Sequence, residues 1–190
     1  MTYITESFTL ILMRIRKLKS NLTKKLHRLI MHYANIKYCS TTNGTGVRTS
    51  LFVSGCRIHC NGCFNKQAWD FQYGKEFTQE VIDRILTSID IEYCSGLTIL
   101  GGEPLDPNNL SEVENIIDQF REKFGYNNPE KTIWVYTGYK YESLRDDQRR
   151  VAGKCDTVVD GPFELDKADV TLKFRGSSNQ RIIDLSCEQP

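Results

Sequence analysis

The sequence contains no apolar run long enough to cross a membrane, which requires about 20 consecutive apolar residues. The apolar run near its start, residues 8–13, is far shorter. This run also precedes the basic residues of the segment, whereas a secretory signal places basic residues before its apolar core. We therefore expect neither a membrane span nor a secretory signal in this sequence.

Neither sign of charge dominates, since the sequence contains 25 Lys and Arg residues and 24 Asp and Glu residues. Residues 1–30 carry seven of the basic side chains and one acidic side chain, which leaves residues 31–190 with 18 basic and 23 acidic ones. The body of the chain has no basic stripe, so we expect no nucleic-acid partner.

Residues 1–30 allow two interpretations. Their leucines recur at helical spacing between the lysines, which would suit a basic amphipathic helix on an acidic partner or a membrane surface. The alternative is an upstream extension without a role. We favour the second interpretation, and we expect a dispensable extension over residues 1–30 and one domain over residues 31–190.

Several motifs of common enzymes are also missing. No G-x-G-x-x-G fingerprint follows a predicted strand, and no Ser–His or His–carboxylate pattern stands out. The sequence therefore predicts no catalytic acid, base or nucleophile. It has no internal repeat or low-complexity tract either.

Cysteine is present in an odd number, seven, and three of the seven lie within residues 56–63. A secreted disulfide scaffold usually has an even, dispersed set. Reduced cysteines are typical of the cytoplasm, which is where we expect this protein. The remaining four, Cys39, Cys94, Cys155 and Cys187, are scattered and are not predicted to bind metal.

The clustered cysteines, Cys56, Cys60 and Cys63, have C-x3-C-x2-C spacing and follow the apolar residues 51–53. This pattern predicts a strand that ends in a metal-binding loop, since soft thiolates bind iron–sulfur clusters or zinc. Three cysteines would leave one iron of a cubane cluster open. A zinc site would instead need a fourth ligand, such as His59, His32, Cys39 or another cysteine. Spacing alone leaves both alternatives open.

Strand and helix patterns alternate along the chain. Strands are predicted over residues 33–39, 49–54, 97–100, 131–137, 156–162 and 170–174, with amphipathic helices between several of them. This alternation predicts an α/β fold with a mainly parallel sheet. The chain is too short for an eight-fold barrel of about 250 residues, so we expect a single-domain incomplete (β/α) barrel.

A pair of glycines, Gly101 and Gly102, ends the strand predicted over residues 97–100. Glycines at this position expose the backbone to a ligand, and ligands of α/β folds bind beyond the carboxyl ends of the strands. A tight turn before a helix would explain the pair about as well.

These motifs resemble those of the radical S-adenosylmethionine (radical SAM) superfamily, and of one glycyl-radical activase family in particular. The segments NGTGVR (43–48), LFVSGC (51–56) and CNGCFNK (60–66), together with Trp69, are similar to the anaerobic ribonucleoside-triphosphate reductase-activating proteins. The resemblance covers about residues 31–185. Many members of the superfamily have an aromatic residue before the third cysteine, whereas this sequence has Gly62 there and Phe64 after it.

The resemblance implies which residues bind the cofactors. Cys56, Cys60 and Cys63 would hold three irons of a [4Fe–4S] cluster. S-adenosylmethionine would chelate the fourth iron and contact the protein at two places, which are residues 62–64 (Gly62, Cys63, Phe64) and the glycine pair (Gly101, Gly102).

The reaction implied is the activation of a partner enzyme. An electron from a flavodoxin-like donor would pass through the cluster and cleave S-adenosylmethionine to methionine and a 5′-deoxyadenosyl radical. The radical would then generate a glycyl radical on the large subunit of the anaerobic ribonucleoside-triphosphate reductase. The alternatives are an activase of another glycyl-radical enzyme of the formate-lyase type, a radical SAM enzyme acting on a small molecule, and a non-catalytic zinc-binding module.

Overall fold

The computed structural model describes residues 30–126 and 128–186. The chain divides into two compact units, Met1–Ile30 and Met31–Pro190. Residues 1–29, which belong to the segment interpreted above as a dispensable extension, lie outside the described residues, as does Cys187. The description below concerns the second unit.

A seven-stranded sheet with the order β3-β1-β2-β4-β5-β6-β7 forms the centre of this unit. Its strands are β1 (His32–Ser40), β2 (Val47–Val53), β3 (Lys75–Glu76), β4 (Cys94–Gly101), β5 (Thr132–Tyr136), β6 (Thr157–Asp160) and β7 (Arg181–Asp184). Strands β2, β4, β5 and β6 are parallel to one another. Strand β1 pairs antiparallel with β2, β3 pairs antiparallel with β1, and β7 pairs antiparallel with β6. The α/β class is confirmed, with a sheet that is parallel in its centre and mixed as a whole.

Three α-helices occur in the described residues: α1 (Gln79–Ile89), α2 (Leu110–Phe124) and α3 (Asp146–Ala152). The apolar stripes predicted for the first two are confirmed, because each helix buries residues at a spacing of three or four. The buried residues of α1 are Val81, Ile82, Ile85, Leu86 and Ile89, and those of α2 include Val113, Ile116, Ile117 and Phe120. No helix among the described residues is long and apolar enough to cross a membrane.

The prediction of a strand over residues 170–174 is wrong. These residues form turns, Val170 is fully exposed, and Phe174 has a left-handed φ of 58°. The chain instead reaches the edge of β6 with β7, where the side chain of Arg181 pairs with that of Asp160. β-branched and aromatic residues make a strand only where a neighbouring edge is available to pair with them.

Four chain segments lie at the edge of the sheet where the parallel strands have their carboxyl ends. Residues 54–65, here called the cysteine loop, follow β2, and the glycine pair lies at the end of β4. Residues 137–138 follow β5, and Gly161 follows β6. Carboxyl ends of parallel strands meet at one edge of a sheet, and ligands bind there in α/β folds.

Candidate metal centre

A cavity of about 260 Å³ opens at this edge of the sheet. Cys56, Cys60 and Cys63 all contribute to its wall, as do Gly101 and Gly102. Residues after β5 and β6, and one just before β7, also contribute to it: Thr137, Gly138, Gly161, Phe163 and Gln180. The structure therefore brings the three cysteines and the two glycines of the sequence prediction to one site.

Backbone hydrogen bonds fix the start of the cysteine loop. The Gly55 amide donates to the Ala68 carbonyl (2.8 Å), and the Cys56 amide donates to the Trp69 carbonyl (3.2 Å). The two acceptors belong to a short 3-10 helix, Lys66–Trp69, which begins soon after the last cysteine. The loop thus closes on itself, with its entry bonded to the segment that leaves it.

The cysteine thiols differ in burial and surroundings. Cys56 is buried, whereas Cys60 and Cys63 are half-buried. Burial raises the pKa of the Cys56 thiol, and hydrogen bonds from the amides of His59 and Ile58 oppose this shift. Burial likewise raises the pKa of the Cys60 thiol, which the amide of Phe163 opposes. A bound cation reverses such a shift, because a coordinated thiol is deprotonated.

The residues considered as a fourth zinc ligand lie elsewhere. Among the described residues, no histidine and no fourth cysteine contributes to the cavity wall. His59, inside the loop, stacks on the ring of Trp69 with 4.3 Å between ring centroids, and Cys39 is exposed on β1. Within residues 30–126 and 128–186, no three metal-ligating side chains lie close enough together to hold a single ion.

Residues 101–103 at the end of β4, here called the glycine turn, are in direct contact with the cysteine loop. The Gly102 amide donates to the Val53 carbonyl, and the Glu103 amide donates to the Gly55 carbonyl, both at 2.8 Å. A Cβ on Gly102 would lie 2.5 Å from the Gly55 carbonyl oxygen, closer than side chains approach in proteins. Gly101 has a φ of +111°, which favours glycine. Only a glycine pair permits this approach of the two segments.

Glu103 is a buried carboxyl group in the cavity wall, and the sequence analysis gave it no role. It accepts hydrogen bonds from Thr137 Oγ1 (2.8 Å), the Gly138 amide (2.8 Å) and the Leu105 amide (2.9 Å). Burial raises the pKa of Glu103 to about 7 despite these donors. The side chain thereby joins the end of β4 to the end of β5.

Two further buried side chains brace the cysteine loop, and neither is predicted from the sequence. Asn109, which is 1% exposed, donates from Nδ2 to the carbonyls of Ser54 and Glu103, each at 2.9 Å. Asp106 is fully buried and forms an ion pair with Arg57 of the loop. Neither residue belongs to a local motif. The one feature of the sequence that points to them is their position between the glycine turn and α2.

The rim of the cavity is apolar and exposed. Phe64 lies in the cavity wall with 88% of its surface exposed, and its ring packs on that of Phe163 with 5.4 Å between centroids. Gly62 lies beside the rim, where a Cβ would approach Leu165 Cδ1 to 2.9 Å. Leu165 itself is 53% exposed. The predicted contacts at residues 62–64 thus lie at the mouth of the cavity.

Two further strand-end segments, for which the sequence predicts no contact, also reach the site. Residues 136–139 and 160–163 contribute Thr137, Gly138, Gly161 and Phe163 to the wall. The loop at residues 175–181 contributes Gln180. The position of residues 137–138 and 161–163 at the carboxyl ends of predicted strands is the feature of the sequence that indicates a place near the site.

The residues of this cavity fit an iron–sulfur cluster. Three thiols share the wall with a close-packed glycine turn, and thiolates are the ligands that such clusters prefer. Each cysteine of a cluster binds a different iron, so the sulfurs stand further apart than three ligands of one ion. Trp69 also lies in the wall, and its indole nitrogen Nε1 is buried without a hydrogen-bond partner among the described residues.

Comparisons with known proteins agree with this fit. The model of the family described as a 4Fe-4S single cluster domain matches residues 42–183. An anaerobic ribonucleoside-triphosphate reductase-activating protein of Pasteurella multocida (strain Pm70) is 39% identical over 156 residues, which covers 80% of this chain and 96% of the relative. Proteins of the same name from enterobacteria phage T4 and Escherichia coli (strain K12) are each 37% identical over 152 residues. These two matches cover 80% and 79% of this chain and 93% and 96% of the relatives. The chain therefore belongs to the family of anaerobic ribonucleoside-triphosphate reductase-activating proteins.

Proposed function

We propose that this protein activates an anaerobic ribonucleoside-triphosphate reductase by generating a glycyl radical on its large subunit. The observation that carries the proposal is that three thiols and the glycine turn share one cavity at the strand ends. The names of the relatives, which are reductase-activating proteins, support the choice of partner.

The proposed cofactors are a [4Fe–4S] cluster and S-adenosylmethionine. When bound, they would supply the radical chemistry: one electron from a flavodoxin-like donor would break a carbon–sulfur bond of S-adenosylmethionine and release methionine, and the 5′-deoxyadenosyl group would take a hydrogen atom from the partner's glycine and leave as 5′-deoxyadenosine. The protein supplies position and a water-poor environment.

Cys56, Cys60 and Cys63 would hold the cluster. The first of them is the most buried, and its position is set by backbone hydrogen bonds on both sides of the loop. Three protein ligands leave one iron free for S-adenosylmethionine.

The glycine turn is the proposed contact for the amino group of S-adenosylmethionine. The Gly102 amide already donates to Val53, which fixes the orientation of this peptide group at the cavity wall. Carbonyl oxygens are the backbone groups that accept hydrogen bonds from an amino group. Cys63 and Phe64 lie in the wall on the opposite segment, with Gly62 beside them, and the aromatic ring of Phe64 offers a surface for the adenine.

The buried polar groups around the cavity would keep these parts in place. Glu103 joins the ends of β4 and β5, and Asn109 joins the glycine turn to the cysteine loop. Catalysis that depends on position loses rate when such supports move the reacting groups by even 1 Å.

We further propose that the sheet is an incomplete (β/α) barrel of the radical SAM type, formed by residues 31–190. Its four parallel central strands and the cavity at their carboxyl ends support this. The apolar rim at Phe64 and Leu165 is the surface nearest the cavity that a partner's glycine segment could cover. The proposed location is the cytoplasm.

The test is anaerobic reconstitution with iron and sulfide, followed by reduction in the presence of S-adenosylmethionine and the reductase large subunit. We expect 5′-deoxyadenosine to form and a glycyl radical to appear on the large subunit in the electron paramagnetic resonance (EPR) spectrum. Cys63→Ala should lose iron and radical formation together. Cys39→Ala is the matched control, since Cys39 is an exposed cysteine outside the cavity wall, and it should retain both.

Three results would count against the proposal. A colourless protein that binds zinc after anaerobic purification would favour the zinc module. A radical formed on a formate-lyase type partner, with none on the reductase, would favour the sibling activase. Turnover of S-adenosylmethionine that proceeds at full rate without any protein partner would favour a small-molecule substrate.

A further inference from the structure

Trp69 has a buried hydrogen-bond donor without an acceptor. Its Nε1 has no partner among the described residues, although the indole lies in the wall of the cavity that contains the three thiols. A buried N–H without a hydrogen-bond partner destabilises the folded protein, and such groups are rare in native proteins. An indole N–H can only donate, so the missing partner is an acceptor.

The indole is held firmly against the cysteine loop. The Trp69 carbonyl accepts the Cys56 amide at 3.2 Å, and its ring stacks on that of His59 with 4.3 Å between centroids and 22° between planes. His59 lies between the first and second cysteines and has a left-handed φ of 52°. Both contacts fix Trp69 relative to the sulfur ligands rather than to the glycine turn.

We propose that Trp69 Nε1–H donates a hydrogen bond to a sulfur of the cluster held by Cys56, Cys60 and Cys63. The proposal rests on the proposed function, since it requires the cluster. Reduction adds negative charge to the cluster sulfurs, so a donor stabilises the reduced state more than the oxidised state. Hydrogen bonds to the sulfurs are one of the factors that set the reduction potential of a cluster. Trp69 would therefore be a positioning and tuning residue that makes the cluster easier to reduce.

A direct test uses the small number of tryptophans, since the chain has only Trp69 and Trp134. The protein is labelled with indole-¹⁵N tryptophan, reconstituted and reduced without S-adenosylmethionine, and examined by pulsed EPR. We expect a ¹⁵N coupling to the cluster that disappears in Trp69→Phe. The control is Trp134→Phe, because the ring of Trp134 lies on β5 near Arg48 and outside the cavity wall, and this variant should retain the coupling.

A redox titration gives a second readout. Trp69→Phe keeps an aromatic ring to stack on His59 and removes the indole N–H together with part of the ring system, so the variant should bind the same amount of iron. Its cluster should have a more negative reduction potential than the wild-type cluster. Trp134→Phe should have the wild-type potential.

The outcomes separate this proposal from the proposed function. A wild-type cluster that assembles normally but shows no ¹⁵N coupling overturns the role of Trp69 alone. A coupling that appears only after S-adenosylmethionine is added overturns it too, because the indole then serves that ligand. An unchanged potential in an iron-loaded Trp69→Phe protein overturns the tuning role. A wild-type protein that assembles no cluster overturns both proposals.

Discussion

Replacing Gly102 with alanine tests how closely the two halves of the site are packed. The added Cβ would lie 2.5 Å from the Gly55 carbonyl oxygen and 3.0 Å from the Ala68 carbonyl oxygen. Both atoms belong to backbone that is hydrogen-bonded within the cysteine loop, since the Gly55 amide donates to Ala68. No flexible side chain can move aside, so the glycine turn and the loop must separate.

The cost of this separation has two parts. An extra methyl group forced into packed structure typically destabilises a protein by about 1–3 kcal/mol. Separation also weakens the hydrogen bonds from Gly102 to Val53 and from Glu103 to Gly55, each worth about 1 kcal/mol. We expect the free energy of unfolding to fall by about 3 kcal/mol, which is a large part of the 5–15 kcal/mol of a typical domain.

The assay is anaerobic urea unfolding of the reconstituted protein, with iron content measured on the same samples. Gly102→Ala should unfold at lower urea and bind less iron, because Cys56 directly follows Gly55. Gly153→Ala is the control: Gly153 has an ordinary helical φ of −65° after α3 and lies outside the cavity wall. That change should alter the free energy of unfolding by less than about 0.5 kcal/mol. Wild-type stability and iron content in Gly102→Ala would refute the close contact between the two segments.

Two further predictions concern Glu103 and residues 1–30. Because burial raises the pKa of Glu103 to about 7, above the ordinary value of 4.5, the stability from this group is full at low pH and is lost as pH rises through about 7. Urea unfolding of the cluster-free protein should show that its free energy of unfolding falls by up to about 3 kcal/mol between pH 5 and pH 8. Glu103→Gln should lack this fall. An equal fall in both proteins would contradict the burial of an ionisable group at this position. Deleting residues 1–30 should leave iron content and radical yield on the reductase unchanged, since the family match begins at residue 42 and every residue of the cavity wall lies beyond residue 50. A truncated protein with normal iron and no activation would show that this segment takes part in the reaction.

The parts of the fold that the sequence predicts are those with local causes. The stripe of α1 is periodic because one face is buried, and residues 51–53 of β2 and 97–100 of β4 are mostly apolar because these parts of the strands are largely buried. The last strand is different. Residues 170–174 have the composition of a strand, yet the strand forms at Arg181–Asp184, where the chain lies against β6. The amino-acid composition of a segment does not show whether that segment lies beside an unpaired edge of the sheet, as β7 does beside β6.

The same distinction applies to the site. The cysteines and glycines are recognisable because chemistry and close packing need those residue types in consecutive order. Asn109 and Asp106 act from the beginning of α2 on a loop about 50 residues earlier in the sequence. Arg48 is a further example, since it is fully buried and donates to Thr98, Leu97 and Thr132 across three strands. Such contacts depend on the tertiary arrangement and leave no pattern in the sequence.

The two ends of the cysteine loop are fixed by different parts of the molecule. Cys56 is placed by hydrogen bonds to the segment after the loop and by the glycine turn, which are all close to the motif in the fold. Cys60 is held from the other side, where the Phe163 amide donates to it and the Phe163 ring packs on that of Phe64. The position of Cys60 therefore depends both on the motif and on a segment about 100 residues further along the chain. Because Phe163 packs on the exposed ring of Phe64, a partner that covers this rim would contact the residues that hold Cys60 in place.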